Sequence, residues 1–371
     1  MRHLHRMSIA DKRNKVLFIS AHFPSLASGY AGHKTAYKFL EEYDRSCTVD
    51  LVVIANSSEV DEPALHELRN TQLIFVERLT GIRKLCNAIS SGALFPLKIQ
   101  SRFSSSVIAQ LKGTIQSYDI IHFEFTHAAA LLKDIIKNKS THTTLVVSSH
   151  DLLTQSLLRK STKSLLYFLI NSIDLYKTIS FESYLYRVCD KIIVQSSKDK
   201  KLLESLFSVP KGKISVVRPY ISPFVTVARQ MRLENPPEPR TLLFWGAMNR
   251  SENEEAVLIF VKQFGRLLDQ LNLTLYVVGN APSARVQALT SDRIVVTGFI
   301  EDPSQFFVKC VLGIVPLISG AGIKVKTLEM LDAGLKVLST PVGAEGIEHP
   351  NLVVSDIQGF KDNLLQIFGT I

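Results

Sequence analysis

The feature that most restricts this chain is a recurring pattern of short apolar runs separated by stretches of helical length. KVLFIS (15–20), VDLVVIA (49–55), YDIIHF (118–123), TTLVVSSH (143–150), KIIVQS (191–196) and KISVV (213–217) punctuate the first half. Between them, HKTAYKFLEEY (33–43) and SSSVIAQLKGTI (104–115) read as helices. Apolar runs without alternation belong to strands buried on both faces, as in a parallel sheet covered by its crossover helices. The pattern stops at SPFVTVARQMRLENPPEPR (222–240), a polar stretch with a Pro-Pro pair that reads as an interdomain connection. It restarts with TLLFWG (241–246), LTLYVVG (273–279), RIVVTG (293–298), VLGIVPL (311–317) and KVLST (336–340), with helices expected over 252–271 and 324–334. A chain of 371 residues exceeds the usual size of one core. The fold class expected is therefore α/β, with one Rossmann-like domain over 1–221, a linker over 222–240 and a second Rossmann-like domain over 241–371. Such sheets bind ligands beyond the carboxyl ends of their strands, so a cleft between the two is expected.

Charge is unevenly divided. Of a net +9, residues 1–220 carry +11 and residues 221–371 carry −2. A basic domain suits an anionic partner: a membrane surface, a phosphate-bearing acceptor or nucleic acid. No zinc finger, RNA-binding signature or DNA-reading basic helix accompanies the charge, so no nucleic-acid partner is expected. The four cysteines, Cys47, Cys86, Cys189 and Cys310, are isolated, which fits reduced thiols in a cytoplasmic protein. The opening MRHLHRMSIADKRNKV lacks the apolar core of a signal peptide. LLYFLINSIDLY (165–176) is too short and too interrupted to span a bilayer. Flanked by Arg159, Lys160, Lys163 and Lys177, it reads either as an amphipathic helix lying on an anionic membrane or as a helix packed on the sheet.

The stretch PLISGAGIKVKTLEMLDAGLKVLSTPVGAEG (316–346) carries the most chemistry. Its order is strand, glycine-containing turn, helix. Gly320 and Gly322 permit a tight turn in which backbone N–H groups approach a ligand. The helix that follows points its positive end at that ligand. Lys324 and Lys326 at a helix start run against the usual preference for acidic residues there, and an anion explains them. Diphosphate is the natural candidate. Glu329, on the same helix, suits a pair of ribose hydroxyls, and Gly334 suits the C-terminal cap.

The run GAGIKVKTLEMLDAGLKVLSTPVGAEG resembles the donor-binding signature of retaining glycosyltransferases of GT-B architecture, specifically family 4. FWGAMNRSENEEAVLIF (244–260), LYVVGNAPS (275–283) and VTGFIEDPSQFF (296–307) match that family's second domain. SGYAGHKTAYKFL (28–40), YDIIHFE (118–124), VSSHD (147–151) and CDKIIVQSSKDKKLL (189–203) match its first more loosely. The resemblance implies transfer of a sugar from a nucleoside diphosphate sugar to an acceptor hydroxyl, with retention. It implies donor-binding roles for Gly29, Gly32, Gly246, Gly320, Gly322, Ile323, Lys324 and Glu329. Glu124, His150 and Lys324 would be catalytic, with His33 and Asp151 touching sugar or acceptor. His150 and Asp151 adjoin, so the carboxylate is expected to orient the ring.

The nucleotide sugar is a co-substrate, and no tightly bound cofactor is implied. With neither H-E-x-x-H nor D-x-D present, metal independence is expected. The basic first domain suggests a glycan or lipid-linked glycan acceptor, as in cell-surface polysaccharide or glycolipid assembly at the inner face of the cytoplasmic membrane. Some features depart from the family. Ala321 stands where its paired-glutamate motif begins, VVRPYISPF (216–224) replaces an Asn-Gly, and Arg250 is out of register with an Arg–Lys pair. The chain also ends at GTI without the expected long C-terminal helices. A non-catalytic partner subunit, an inverting transferase and a nucleotide-sugar epimerase are the rival readings.

Overall fold

The computed structural model describes residues 13–59, 63–90, 95–159 and 165–369. The chain divides between Tyr220 and Ile221 into two compact units. In the first, the strands are β1 (Lys15–Ser20), β2 (Thr48–Asn56), β3 (Thr71–Leu79), β4 (Ile120–Glu124), β5 (Thr144–Ser149), β6 (Lys191–Val194) and β7 (Ile214–Val216). They pair in parallel in the order β3-β2-β1-β4-β5-β6-β7. Both faces are covered. Leu17, Ile19, Ile121, Phe123 and Val147 enter one core and Val16, Phe18, Ile120 and Val146 the other, which is why these strands read as unbroken apolar runs.

In the second unit, β8 (Thr241–Trp245), β9 (Thr274–Val278), β10 (Ile294–Gly298), β11 (Leu312–Val315), β12 (Lys336–Ser339) and β13 (Leu352–Val354) follow the order β10-β9-β8-β11-β12-β13, again parallel. Each unit is a doubly wound, Rossmann-like sheet whose order reverses beside its first strand. That switch point is where such sheets open to ligands.

Two strands and one helix depart from the sequence reading. β3 and β13 are edge strands, largely half-buried or exposed, so neither shows a continuous apolar run. The stretch read as a polar connection holds a helix, Phe224–Glu234, that belongs to the second unit. Its Val225 and Ala228 are buried one turn apart in that unit's core. Arg232 Nη1 donates to the carbonyls of Phe307 (2.6 Å), Val308 (3.1 Å) and Cys310 (2.8 Å). A helix contributing only two buried positions looks polar in sequence. Pro236 and Pro237 lie just beyond its end.

A glycine directly follows β8 (Gly246) and β9 (Gly279), and β10 ends on Gly298. Gly246 and Gly279 adopt φ of +151° and +154°. A methyl on Gly279 would lie 1.8 Å from the carbonyl oxygen of Gly246, so these two turns pack backbone on backbone. Gly279→Ala is expected to lower stability by at least about 3 kcal/mol, because backbone has no rotamer with which to yield. Urea unfolding of the variant against the parent chain checks this.

Candidate functional site

In the second unit the turn after β11 leads into the helix Val325–Asp332, which has no side-chain N-cap and no acidic residue in its first turn. Gly320 (φ +113°) and Gly322 (φ +72°) make the turn possible. Lys324 sits at the cap position; its Nζ donates to the Gly322 carbonyl at 2.6 Å and lies 3.7 Å from Glu345 Oε2. Lys326 Nζ donates to Asn253 Oδ1 and lies 4.9 Å from the centre of the Phe244 ring. Its residue keeps some exposed surface, yet the ammonium itself is enclosed by protein. That desolvation, with Arg250 and Lys324 nearby, pushes its pKa down to about 7. Cations crowded at a helix N-terminus repel one another, and an anion among them relieves that repulsion.

Glu329 is buried on the same helix. Its Oε1 accepts the backbone N–H of Ser222 at 3.2 Å, and its Oε2 accepts the Trp245 indole N–H at 2.7 Å. These contacts fix the carboxylate's orientation while each oxygen retains a lone pair for a further donor. Gly246 borders the same group, since a methyl there would lie 2.9 Å from Lys326 Nζ. Gly334, at φ +90°, follows the end of the helix as its sequence position suggests. Arg250, out of register by sequence, stands at the start of the helix Ser251–Gln270 and acts electrostatically on Lys326.

In the first unit, the ends of β4, β5 and β6 assemble a buried polar chain. Glu124, the last residue of β4, is fully buried. His122 Nε2 donates to its Oε2 at 2.8 Å and His150 Nε2 to its Oε1 at 2.5 Å. The outer ring nitrogens complete the set: Tyr43 Oη donates to His122 Nδ1 (3.2 Å) and Gln195 Nε2 to His150 Nδ1 (2.8 Å). Both ring nitrogens of each imidazole thus have a partner, with Nε2 facing the carboxylate and Nδ1 facing outward. Burial alone raises the Glu124 pKa; the two histidines outweigh it and hold the group below the ordinary carboxylate range.

This arrangement revises two expectations. Glu124 is not presented to a ligand, because none of its surface is exposed and each of its oxygens is held by a histidine. The orienting partners of His150 are Glu124 and Gln195, and not Asp151, although Asp151 is next in sequence. The His150 ring stacks on Phe125 at 4.2 Å between centroids. Phe125 has φ +69°, a strained value for a non-glycine residue directly after β4. Gly32 lies against both rings: a methyl there would come 3.1 Å from Phe125 and 3.3 Å from His150. Gly29, by contrast, is exposed and has nothing within 4 Å of where a side chain would begin.

His33 sits beside this group with Nδ1 3.0 Å from Ser28 Oγ, stacked on His22 at 4.7 Å; burial takes its pKa down to about 4. Among the described residues, His22, His33 and Glu59 bring potential metal-donor atoms within 4.8 Å of one another, a convergence that no sequence motif announces. Hydrogen bonds account for it. Glu59 Oε1 accepts from His22 Nδ1 (2.8 Å) and from the backbone (3.1 Å) and side-chain (2.8 Å) amides of Asn56, while Oε2 accepts from Phe23 N (3.0 Å). The carboxylate clasps the loop that follows β1.

The polar partners that sequence reasoning missed are His122, Tyr43, Gln195, Asn253, Trp245 and Glu345. One signal was present. His122 and Glu124 alternate within an otherwise apolar strand, and polar groups at i and i+2 of a buried strand must satisfy each other.

The second unit matches the group 1 glycosyl transferases over residues 239–369, and residues 34–223 match the model of Glycosyltransferase Family 4, which spans more than half of the chain. The chain belongs to glycosyltransferase family 4. No curated protein matches it. Solved structures similar in fold include sucrose-phosphate synthase from Thermosynechococcus elongatus, at 13% identity and TM-score 0.61, covering 96% of this chain and 90% of that one. HepE of Anabaena in complex with UDP-glucose aligns at 15% identity and TM-score 0.57, covering 96% and 92%. The UDP-forming α,α-trehalose-phosphate synthase of Burkholderia vietnamiensis aligns at 11% identity and TM-score 0.55, covering 96% and 92%. At these identities the likeness establishes the GT-B fold of two Rossmann-like domains. Family 4 membership sets the chain among nucleotide-sugar-dependent glycosyltransferases.

Glu124→Gln turns one acceptor oxygen into an N–H donor facing a histidine N–H. A loss of about 1–3 kcal/mol in chemical denaturation is expected. In the ring-nitrogen NMR spectrum, one of the two histidines is expected to change tautomer while the other keeps its own.

Proposed function

We propose that this family 4 chain transfers a glycosyl group from a nucleoside diphosphate sugar to an acceptor hydroxyl with retention of anomeric configuration. The observation that carries this reading is the convergence of Lys324, Lys326 and the helix start at Val325, with Glu329 held one turn further on. A diphosphate leaving group gains negative charge as the glycosidic bond breaks, and fixed cations and N–H groups stabilise that charge without reorganising. Glu329 takes the ribose hydroxyls through its remaining lone pairs. Uridine diphosphate is the first base to test, since HepE of Anabaena is described with UDP, glucose and UDP-glucose.

In the first domain, His150 is the catalytic side chain that meets the transferred sugar, and Glu124 positions it. Gly32 and His33, in the first turn of the helix Ala31–Asp44, and Gly29 just before it border the acceptor, with Asp151 beside His150. The reaction needs no metal, because Lys324 and Lys326 do the work of neutralising the diphosphate. A lipid-linked or anionic glycan acceptor suits the basic first domain, and with it a place in cell-surface polysaccharide or glycolipid assembly on the cytoplasmic side of a membrane.

A thermal-shift screen against nucleoside mono- and diphosphates and their sugar conjugates tests the donor site. Selective stabilisation by one diphosphate family is expected, with affinity roughly ten- to a hundred-fold weaker in Lys324→Ala and in Glu329→Ala. If no nucleotide stabilises the chain, the donor assignment fails. With the donor known, proton NMR of the first-formed product reports the anomer; an inverted product would overturn retention alone.

Lys326 adds a pH dependence. Its pKa is about 7 in the free protein, and a bound diphosphate raises it. Binding therefore takes up a proton above pH 7 or so. Diphosphate affinity is strongest below that pH and weakens above it, by up to roughly ten-fold per pH unit. Calorimetric titration with uridine diphosphate in buffers of different ionisation enthalpy measures the uptake, which Lys326→Met is expected to abolish.

A further inference from the structure

The first domain carries an apolar surface that the glycosyl-transfer reading does not use. On the helix Gly81–Ser90, Ile82, Leu85 and Ile89 recur at i, i+3 and i+7 on one side, with Cys86 exposed beside them. Leu97 opens the next short helix, Leu97–Gln100, and its N–H donates to Asp174 Oδ1 at 2.8 Å, tying that region to the helix Leu165–Val188. On the latter, Asp174, Thr178 and Phe181 face inward while Ile173 and Tyr176 face out. The apolar side chains Ile82, Leu85, Ile89, Leu97, Ile173 and Tyr176 are between 58% and 79% exposed. So large a cluster on neighbouring elements marks an interaction surface and not scattered exposure. Among the described side chains of the apolar segment 165–176, Asp174 is buried while Leu169, Ile170, Ile173 and Tyr176 are exposed. Lys160 and Lys163 lie outside the described residues.

Charge indicates the occupant. The acidic residues of these helices are turned inward and consumed. Asp174 holds Leu97 N. Glu182 accepts from Leu153 N (2.9 Å), Thr154 N (3.0 Å) and Thr154 Oγ1 (2.6 Å). Glu77, on β3, is buried and paired with Arg83 at 2.8 Å. Lys84, Lys98 and Lys177 stand on the same helices, in a domain of net charge +11. A second copy of the chain seated here by two-fold symmetry would bring like charges together. A bilayer with anionic headgroups accepts both the apolar side chains and the surrounding lysines. None of the described helices is long and apolar enough to cross a membrane, so the contact is one of surface docking.

We propose that the outward sides of Gly81–Ser90 and Leu165–Val188, joined at Leu97, form a docking surface for an anionic lipid bilayer. The proposal is independent of the reaction, because vesicle binding needs no donor. Cys86 is exposed while Cys47, Cys189 and Cys310 are buried, so the full chain can be labelled at Cys86 with a polarity-sensitive fluorophore. Vesicles containing phosphatidylglycerol are expected to sediment the protein and shift the probe to the blue, an effect reduced by raised salt and absent with phosphatidylcholine alone. Ile82→Asp with Leu85→Asp should weaken binding by about ten-fold or more at an unchanged melting temperature, and Ile173→Asp is a second variant on the other helix. The proposal is overturned if anionic vesicles do not bind at low salt, or if they bind without a shift at Cys86. It is equally overturned if well-folded variants bind as the parent does, or if a concentration-dependent dimer buries Cys86 before lipid is added.

Discussion

Parallel strand pairing is the constraint on which the rest of this structure depends. In a parallel sheet every strand runs the same way, so the chain leaves all of them at one edge and must return over a face. The registers show the consequence. Ser20 pairs with Glu124 and Glu124 with Ser148, so the residues just past three strands far apart in sequence become neighbours. His22, Phe125 and His150 meet because their strands end together. In the second unit the same rule gathers Gly246, Gly279 and the turn bearing Gly320 and Gly322 at the ends of β8, β9 and β11.

A buried carboxylate in such a place must be satisfied from the strands on either side. Glu124 is met by His122 two residues earlier on its own strand and by His150 from β5, and β6 supplies Gln195 just past its end. Removing any one member leaves another polar group unpaired in a water-poor interior, so the set is retained or lost as a unit. Phe125, directly after the carboxylate in the chain, is held at positive φ with its ring stacked on His150. Strain there is sustained by the surrounding hydrogen bonds and by the tight approach of Gly32.

How much of this was legible in the sequence follows from which interactions are local. The central strands declare themselves because burial on two faces demands unbroken apolar runs. TQLIFVERL, at an edge of the first sheet, and LVV, at an edge of the second, face solvent in part and do not. The donor turn is legible because its glycines, lysines and helix are contiguous. Its supports are not: Asn253 lies 73 residues from Lys326, and Trp245 lies 84 from Glu329. The expectation that Asp151 orients His150 failed for the same reason. The partners of His150 are Glu124 at the end of β4 and Gln195 just past β6, the strands on either side of β5.

The two units use opposite arrangements of charge. The first buries several of its carboxylates, Glu124, Glu182, Glu77 and Asp174 among them, against hydrogen-bond donors, in a unit whose net charge is +11. The second is nearly balanced overall but brings Arg250, at the start of one helix, near Lys324 and Lys326, at the start of another, where desolvation and mutual repulsion depress the Lys326 pKa to about 7. A diffuse positive field of the first kind acts over about a Debye length and attracts anionic surfaces without selecting among them. A crowded, enclosed positive site of the second kind acts over a few ångströms and favours a compact anion that can touch several donors at once. In this chain the two kinds of positive charge lie in different units. Each is built from the same residues, and what distinguishes them is where the neighbouring carboxylates have gone.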